Sequence, residues 1–117
     1  MNEKNASYTM KPRYKIRAAK AEDIETIFNF ICKLEDTIFD SQGFAGRYKT
    51  NLQNSDVIYL VSVDEEGRVM GFIGCRGMNV LHHEGLVFEI QKMYVAENWR
   101  GQGVGQALFA ALEKKAI

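Results

Sequence analysis

The chain has almost none of the residues that staple or stiffen small proteins: two cysteines and one proline among 117 residues. Cys32 and Cys75 fall in a helix-like and a strand-like stretch, without C-x-x-C or metal-ligand spacing, so neither a disulfide framework nor a cysteine-based zinc site is built here. They read as reduced, buried thiols of a cytoplasmic protein. The two histidines, His82 and His83, are adjacent and are second-choice bases or, with Glu84, metal ligands; neighbours on extended chain point to opposite sides and no third ligand stands at a known spacing, so no bound metal is expected. No apolar run approaches the ~18 residues of a membrane span, and the scattered basic residues near the start do not form a signal peptide. Charge of one sign is also lacking: 15 Lys and Arg balance 15 Asp and Glu, and nothing global attracts nucleic acid or an anionic membrane surface.

What is present is enough for one domain with a real core. Residues 1–12 are polar and end at Lys11-Pro12, which predicts a flexible leader before a domain over 13–117. Tyr14, Ile16 and Ala18 alternate with Lys15 and Arg17, the pattern of a short strand. Ile24, Ile27, Phe28, Ile31, Leu34 and Ile38 recur at helical spacing behind Glu22 and Asp23, which suit a helix's first turn. A second, shorter helix is predicted over Ser41 to Asn54, with Phe44, Tyr48 and Leu52 four apart. Val57 to Val63 and Arg68 to Cys75 are apolar and β-rich around the turn residues Asp64 to Gly67, a hairpin. Leu86 to Val95 is a third long strand, apolar except at Glu89, Gln91 and Lys92, and Gln102 to Ile117 is a closing helix. The order strand, helix, helix, three strands, helix is an α+β class with mixed elements.

Residues 100–105 read Arg-Gly-Gln-Gly-Val-Gly between a strand and a helix. Glycines there let the backbone approach an anion, and the free N–H groups of the helix's first turn point at it. A dinucleotide fingerprint needs a further glycine where Gln106 stands, and an acid about 20 residues on. A Walker loop needs G-K-[ST], which is absent. What remains is [RQ]-x-x-G-x-[GA].

That hexapeptide, preceded by Met93-Tyr94-Val95, resembles the acetyl-CoA signature of the GNAT N-acetyltransferases, and Ile16-Arg17-Ala18-Ala19 followed by Asp23 is similar to the family's opening. Smaller pieces resemble the aminoalkylphosphonate N-acetyltransferases in order and spacing: Ile31-Cys32-x-Leu34-Glu35, Phe39-Asp40 with Phe44, Asn51-Leu52, Leu81-His82-His83 and Glu89-Ile90-Gln91. The resemblance implies a three-layer fold, a mostly antiparallel central sheet flanked by helices, and here one without the family's C-terminal strands and helix. It implies acetyl transfer to the primary amine of a small molecule, by direct attack in a ternary complex with acetyl-CoA. Arg100, Gly101, Gln102, Gly103, Val104 and Gly105 would hold the pyrophosphate, and the main chain of Met93, Tyr94 and Val95 would lie beside the pantetheine arm.

Glu89 is the candidate general base, an acid in an otherwise apolar strand where desolvation would raise its pKa toward a useful range. Its bland alternative is an outward residue paired with Lys92 or an arginine. Trp99 is expected to pack against the helix start, and Arg100 either pairs with phosphate or anchors the turn. Asp40 and Phe44 either wall the acceptor site or cap a helix and fill the core. Tyr48 and Tyr59 stay uncommitted, and Arg47, Lys49 and Arg76 are cations available to an acidic acceptor. An unpaired side on the Leu86 to Val95 strand predicts self-association through that edge, such as a homodimer. A coenzyme A-binding module without catalysis is the competing function.

Overall fold

The computed structural model describes residues 13–79 and 86–116, so the leader and both histidines lie outside the described residues. β1 (Tyr14–Ala18), β2 (Val57–Asp64), β3 (Val69–Asn79) and β4 (Leu86–Val95) form one sheet in the order β1-β2-β3-β4, every pair antiparallel. Helices α1 (Ile24–Glu35) and α2 (Ser41–Leu52) cover one face, and α3 (Val104–Ala116) covers the other. The mixed α+β class and the three layers expected from sequence are what the chain adopts.

Each face has its own core. Ile27, Phe30, Ile31 and Tyr48 pack on Val61, Val63 and Phe72 beneath α1 and α2. Val104, Leu108 and Leu112 of α3 pack on Leu60, Met70, Ile73 and Cys75. The central strands β2 and β3 read as nearly continuous apolar runs because both their faces are covered. β4 mixes polar with apolar residues because it is an outer strand, and its Ile90 and Met93 remain 41% and 43% exposed.

Local chemistry sets the boundaries. The β2–β3 turn closes through Gly67 N–H donating to the Asp64 carbonyl at 2.9 Å, with Gly67 at φ +84°, while the Asp64 carboxylate accepts from the Glu66 and Arg68 amides. Asp40 caps α2 by accepting from Gly43 N–H at 2.7 Å. α1 ends three residues before the apolar periodicity does. Asp36 adopts the left-handed conformation at φ 51° and donates its N–H back to the Cys32 and Lys33 carbonyls, closing the helix. Ile38, predicted as a helical core position, is therefore outside the helix and 90% exposed.

A polar anchor ties α1 and α2 to the sheet. Arg17 of β1 donates twice to the buried Asp23 carboxylate, at 2.8 and 2.9 Å, and Lys20 N–H donates to the same group at 2.7 Å. Burial alone would push this carboxyl up, but the Arg17 and Lys20 hydrogen bonds and charges outweigh it and hold Asp23 below the usual carboxylate range. Tyr48 adds a second tie, its hydroxyl donating to the Lys20 carbonyl at 2.6 Å. Burial pushes that phenol well up, so it stays a donor.

Candidate active site

A single extra residue in β4 organises the site. Tyr94 lies opposite Phe72 and Lys92 opposite Gly74, but the next pairs are Ile90 with Cys75 and Glu89 with Arg76, so Gln91 is an unpaired bulge residue. Tyr94 and Lys92 are on the face covered by α1 and α2, where Tyr94 packs on Phe30 and Lys92 is ion-paired with Glu35 of α1. Unbroken alternation would send Ile90 to that face and Glu89 to the other. The bulge reverses this: Ile90 joins the side of the buried Cys75, and Glu89 comes to the α1–α2 face.

There Glu89 joins the lining of a pocket of about 580 Å³. Residues 89–92 form one wall; Phe44, Arg47, Tyr48 and Asn51 of α2 form the opposite one, with Ile27 and Ile31 of α1 beside them. Tyr59, Phe72 and Gly74 make the floor. The Tyr48 and Tyr59 rings stack at 5.8 Å, and Asn51 Nδ2 donates to the Tyr59 hydroxyl at 2.8 Å. A Cβ on Gly74 would stand 3.0 Å from the Tyr59 ring and 3.1 Å from Phe72, so glycine there keeps the floor flat.

The structure departs from expectation at Glu89, whose side chain is exposed rather than desolvated. As the outer strand, β4 offers Glu89 an open pocket wall instead of a covered core. Its cross-strand neighbour is Arg76, while Lys92 is taken by Glu35. Asp40 is the helix cap, and Phe44 serves two ends, packing edge-on against Phe28 at 5.1 Å and lining the pocket. Arg47 lines the pocket, and Lys49 is not among its lining residues. The α2 wall is readable as a helical stripe, since Phe44, Arg47, Tyr48 and Asn51 are spaced by three and four.

The glycine turn lies on the α3 side. Val95, Arg100, Gly101, Gly103, Val104 and Gly105 line a second depression of about 420 Å³ with Trp99 and Gln106. Gly101 and Gly103 stand at φ +79° and +85°, which only glycine adopts without strain, and a Cβ on Gly101 would meet nothing within 4 Å. The turn thus presents bare backbone at the N-terminus of α3, a cradle suited to a pyrophosphate. Arg100 anchors it, with Nε donating to the Val95 carbonyl at 2.8 Å and the guanidinium 5.2 Å from the Tyr94 ring centre. Met93 reaches the same side, its Cε 3.8 Å from where a Cβ on Gly105 would be.

Not every residue of the expected cofactor set comes to this depression by its side chain. Tyr94 faces the opposite side of the sheet, Val104 is a core residue 1% exposed, and Gln102 turns back to donate to the Asn98 carbonyl at 3.1 Å. Of these three, only Val104 borders the depression. Trp99 packs edge-on against Tyr14 at 6.2 Å, as a structural residue of the turn. Cys75 is buried against α3 and its thiol is pushed up by that burial, so it is no nucleophile for this site. Among the described residues no group of three His, Cys, Asp or Glu side chains is disposed to hold a metal ion.

Residues 20–117 match the model of the acetyltransferase (GNAT) family. The aminoalkylphosphonate N-acetyltransferase of Salmonella typhimurium is 32% identical over 105 residues, covering 90% of this chain and 68% of that protein. Among solved structures, a possible acetyltransferase from Clostridium difficile superposes with a TM-score of 0.73 at 23% identity, over 88% of this chain and 70% of that one. An aminoglycoside N-acetyltransferase in complex with CoA superposes with a TM-score of 0.77 at 16% identity, over 92% and 72% of the two chains. These likenesses agree with the sheet order, the two-helix cover and the glycine turn, and the chain belongs to the GNAT family of acetyltransferases, enzymes of the N-acetyltransferase class.

Proposed function

We propose that this chain transfers the acetyl group of acetyl-CoA to the primary amine of a small molecule, an aminoalkylphosphonate in the reading that the Salmonella relative's name supports. The observation that carries the proposal is the bulge at Gln91, which turns Glu89 into the 580 Å³ pocket while the same strand runs on, through Met93, to the glycine turn. An amine seated beside Glu89 and a thioester lying along Met93 to Val95 would meet at β4. The ammonium must lose its proton before it attacks; Glu89, exposed in the pocket, takes it directly or through one water. The outward N–H groups of β4 are the donors for the developing oxyanion. Attack is direct, without a covalent acyl-enzyme.

The CoA pyrophosphate fits the cradle at Arg100 to Gly105, where Arg100 retains terminal N–H groups beyond the Nε used to hold the turn. Free Cys32 and Cys75 support a cytoplasmic setting. Among the described residues no helix is long and apolar enough to cross a membrane. Neutral net charge supports partners other than nucleic acid or membrane. β4 is an outer strand whose second edge is unpaired among the described residues, and its exposed Ile90 and Met93 support self-association there. A species that stays monomeric by light scattering at every concentration would refute that assembly.

The deciding experiment is a thiol-release screen with acetyl-CoA against aminoalkylphosphonates, amino sugars and polyamines, beside a calorimetric titration of acetyl-CoA. Release with at least one small amine is the expected result. Tight acetyl-CoA binding without release for any amine would instead make the chain a CoA-binding module.

A further inference from the structure

The charged groups of the 580 Å³ pocket are unevenly committed. Three line it: Glu89 and Lys92 on the β4 wall, Arg47 on the α2 wall. Lys92 is neutralised by its ion pair with Glu35. Arg47 has no hydrogen-bond or ion-pair partner among the described residues. Asp40 is close by, one of its oxygens accepting from the Gly43 amide; Asp40 Oδ2 and Arg47 Nη1 lie 3.0 and 3.2 Å from the point a Cβ on Gly43 would occupy, without forming an ion pair. A guanidinium thus shares the lining of an aromatic pocket with a carboxylate from another element, and among the described residues its planar donor fork has no partner.

We infer that the acceptor is a small zwitterion, its amine facing Glu89 and its phosphonate or carboxylate gripped by Arg47. The inference rests on the reading of this pocket as the acceptor site. A simple amine would satisfy Glu89 and leave the guanidinium without a counter-ion; an acid lacking the amine would satisfy Arg47 and be repelled by Glu89. Only a molecule carrying both charges complements both walls. The stacked Tyr48 and Tyr59 rings line the same pocket, and a hydrogen bond between a guanidinium and an oxyanion, or an ammonium and a carboxylate, is of the stronger, charge-assisted kind. Arg47 is therefore a specificity residue for the acid end, distinct from the proton-transfer role of Glu89.

The test is calorimetry on the full chain with 2-aminoethylphosphonate, 3-aminopropanoate and propylamine, in the unaltered protein, Arg47→Gln and Arg47→Lys. At least one of the two acids is expected to bind about tenfold or more tightly than propylamine. Arg47→Gln abolishes that advantage by weakening the acids, Arg47→Lys keeps part of it, and neither substitution weakens propylamine. Preference for the phosphonate alone or for both acids supports the inference equally and says which oxyanion fits. Equal affinity for propylamine, undiminished preference in Arg47→Gln, or no binding of either acid overturns it. If Arg47 merely steadies the capped start of α2 beside Asp40, Arg47→Gln lowers Tm and leaves the affinity ratio alone, which also overturns it. Arg47-dependent acid binding without thiol release would refute acetyl transfer and leave the zwitterion site standing. Thiol release from propylamine with the same kcat/KM as from the acids would do the reverse.

Discussion

The two depressions flanking β4 are built on opposite plans. The one under α1 and α2 is made of side chains: Phe44, Arg47, Tyr48, Asn51, Tyr59 and Glu89 supply its shape and charge. The one at α3 is made of backbone, where Gly101 and Gly103 clear the way and Arg100 is spent largely on holding the turn. The difference follows from what each would bind. A pyrophosphate presents the same oxygens to every enzyme that uses it, and main-chain N–H groups at a helix end are sufficient. An acceptor amine must be told apart from other amines, which needs side chains that differ between proteins.

Substitution at Glu89 separates the two plans most sharply. Glu89→Gln keeps the size of the side chain and removes the base, and it should slow acetyl transfer by about 100-fold or more. Acetyl-CoA affinity, measured by calorimetry, should not change. Full thiol release from the variant would remove Glu89 from the mechanism and leave the pocket without its chemistry.

The converse change is Gly103→Val. A β-branched residue at φ +85° is strained, and relieving that strain moves the backbone N–H groups of the turn. Acetyl-CoA affinity should fall by roughly tenfold or more, with the affinity of 2-aminoethylphosphonate unaltered. Equal loss of both would mean that the depressions are one cooperative site.

The same contrast decides which features are legible in the amino-acid sequence alone. Gly101 and Gly103 are identifiable because a positive φ admits few alternatives and the hexapeptide is local. The strand and helix order is equally local, apart from α1, whose apolar period runs on to Ile38 although Asp36 ends the helix in a left-handed turn. The β4 wall of the pocket under α1 and α2 is illegible for the opposite reason. Glu89 faces it only because Gln91 bulges against β3, and nothing in Glu89-Ile90-Gln91 announces an unpaired residue; register is a property of two strands. Nor does local sequence foretell that Lys92 is claimed by Glu35, 57 positions away, or that Arg47 has no partner among the described residues.

The faces also differ in how they are fastened. α3 is held by apolar burial, whereas α1 and α2 depend as well on Arg17–Asp23 and Tyr48–Lys20. Arg17→Ala should cost about 1–2 kcal/mol by chemical denaturation, less than a fully buried pair because the Arg17 side chain is 29% exposed. Asp23 is depressed relative to the unfolded chain, so its contribution is fully present above the ordinary carboxylate range and is lost as pH falls through its lower folded value. Stability of the unaltered protein should therefore decline in that acid window, and Arg17→Ala should show a shallower decline there. Parallel curves for the two proteins would mean that the pair contributes nothing to folding.

The smallest effects come from two alanines, and they compare the plans at the level of one methyl group. At Gly74, in the acceptor floor, a Cβ would press within 3.0 Å of Tyr59 and 3.1 Å of Phe72, closer than packed atoms normally come. Gly74→Ala should cost about 1 kcal/mol of stability and loosen acceptor binding with it. At Gly105 the added Cβ would sit 3.8 Å from Met93 Cε and 3.9 Å from Val95 Cγ2, ordinary contact distances. Gly105→Ala should leave folding unharmed or stabilise α3 by a few tenths of a kcal/mol, since alanine is the better helix former. The fold itself therefore makes no demand for glycine at 105. If a ligand lies against that helix turn, acetyl-CoA affinity should drop although Tm does not. An affinity equal to that of the unaltered protein would show that the cradle ends at Gly103.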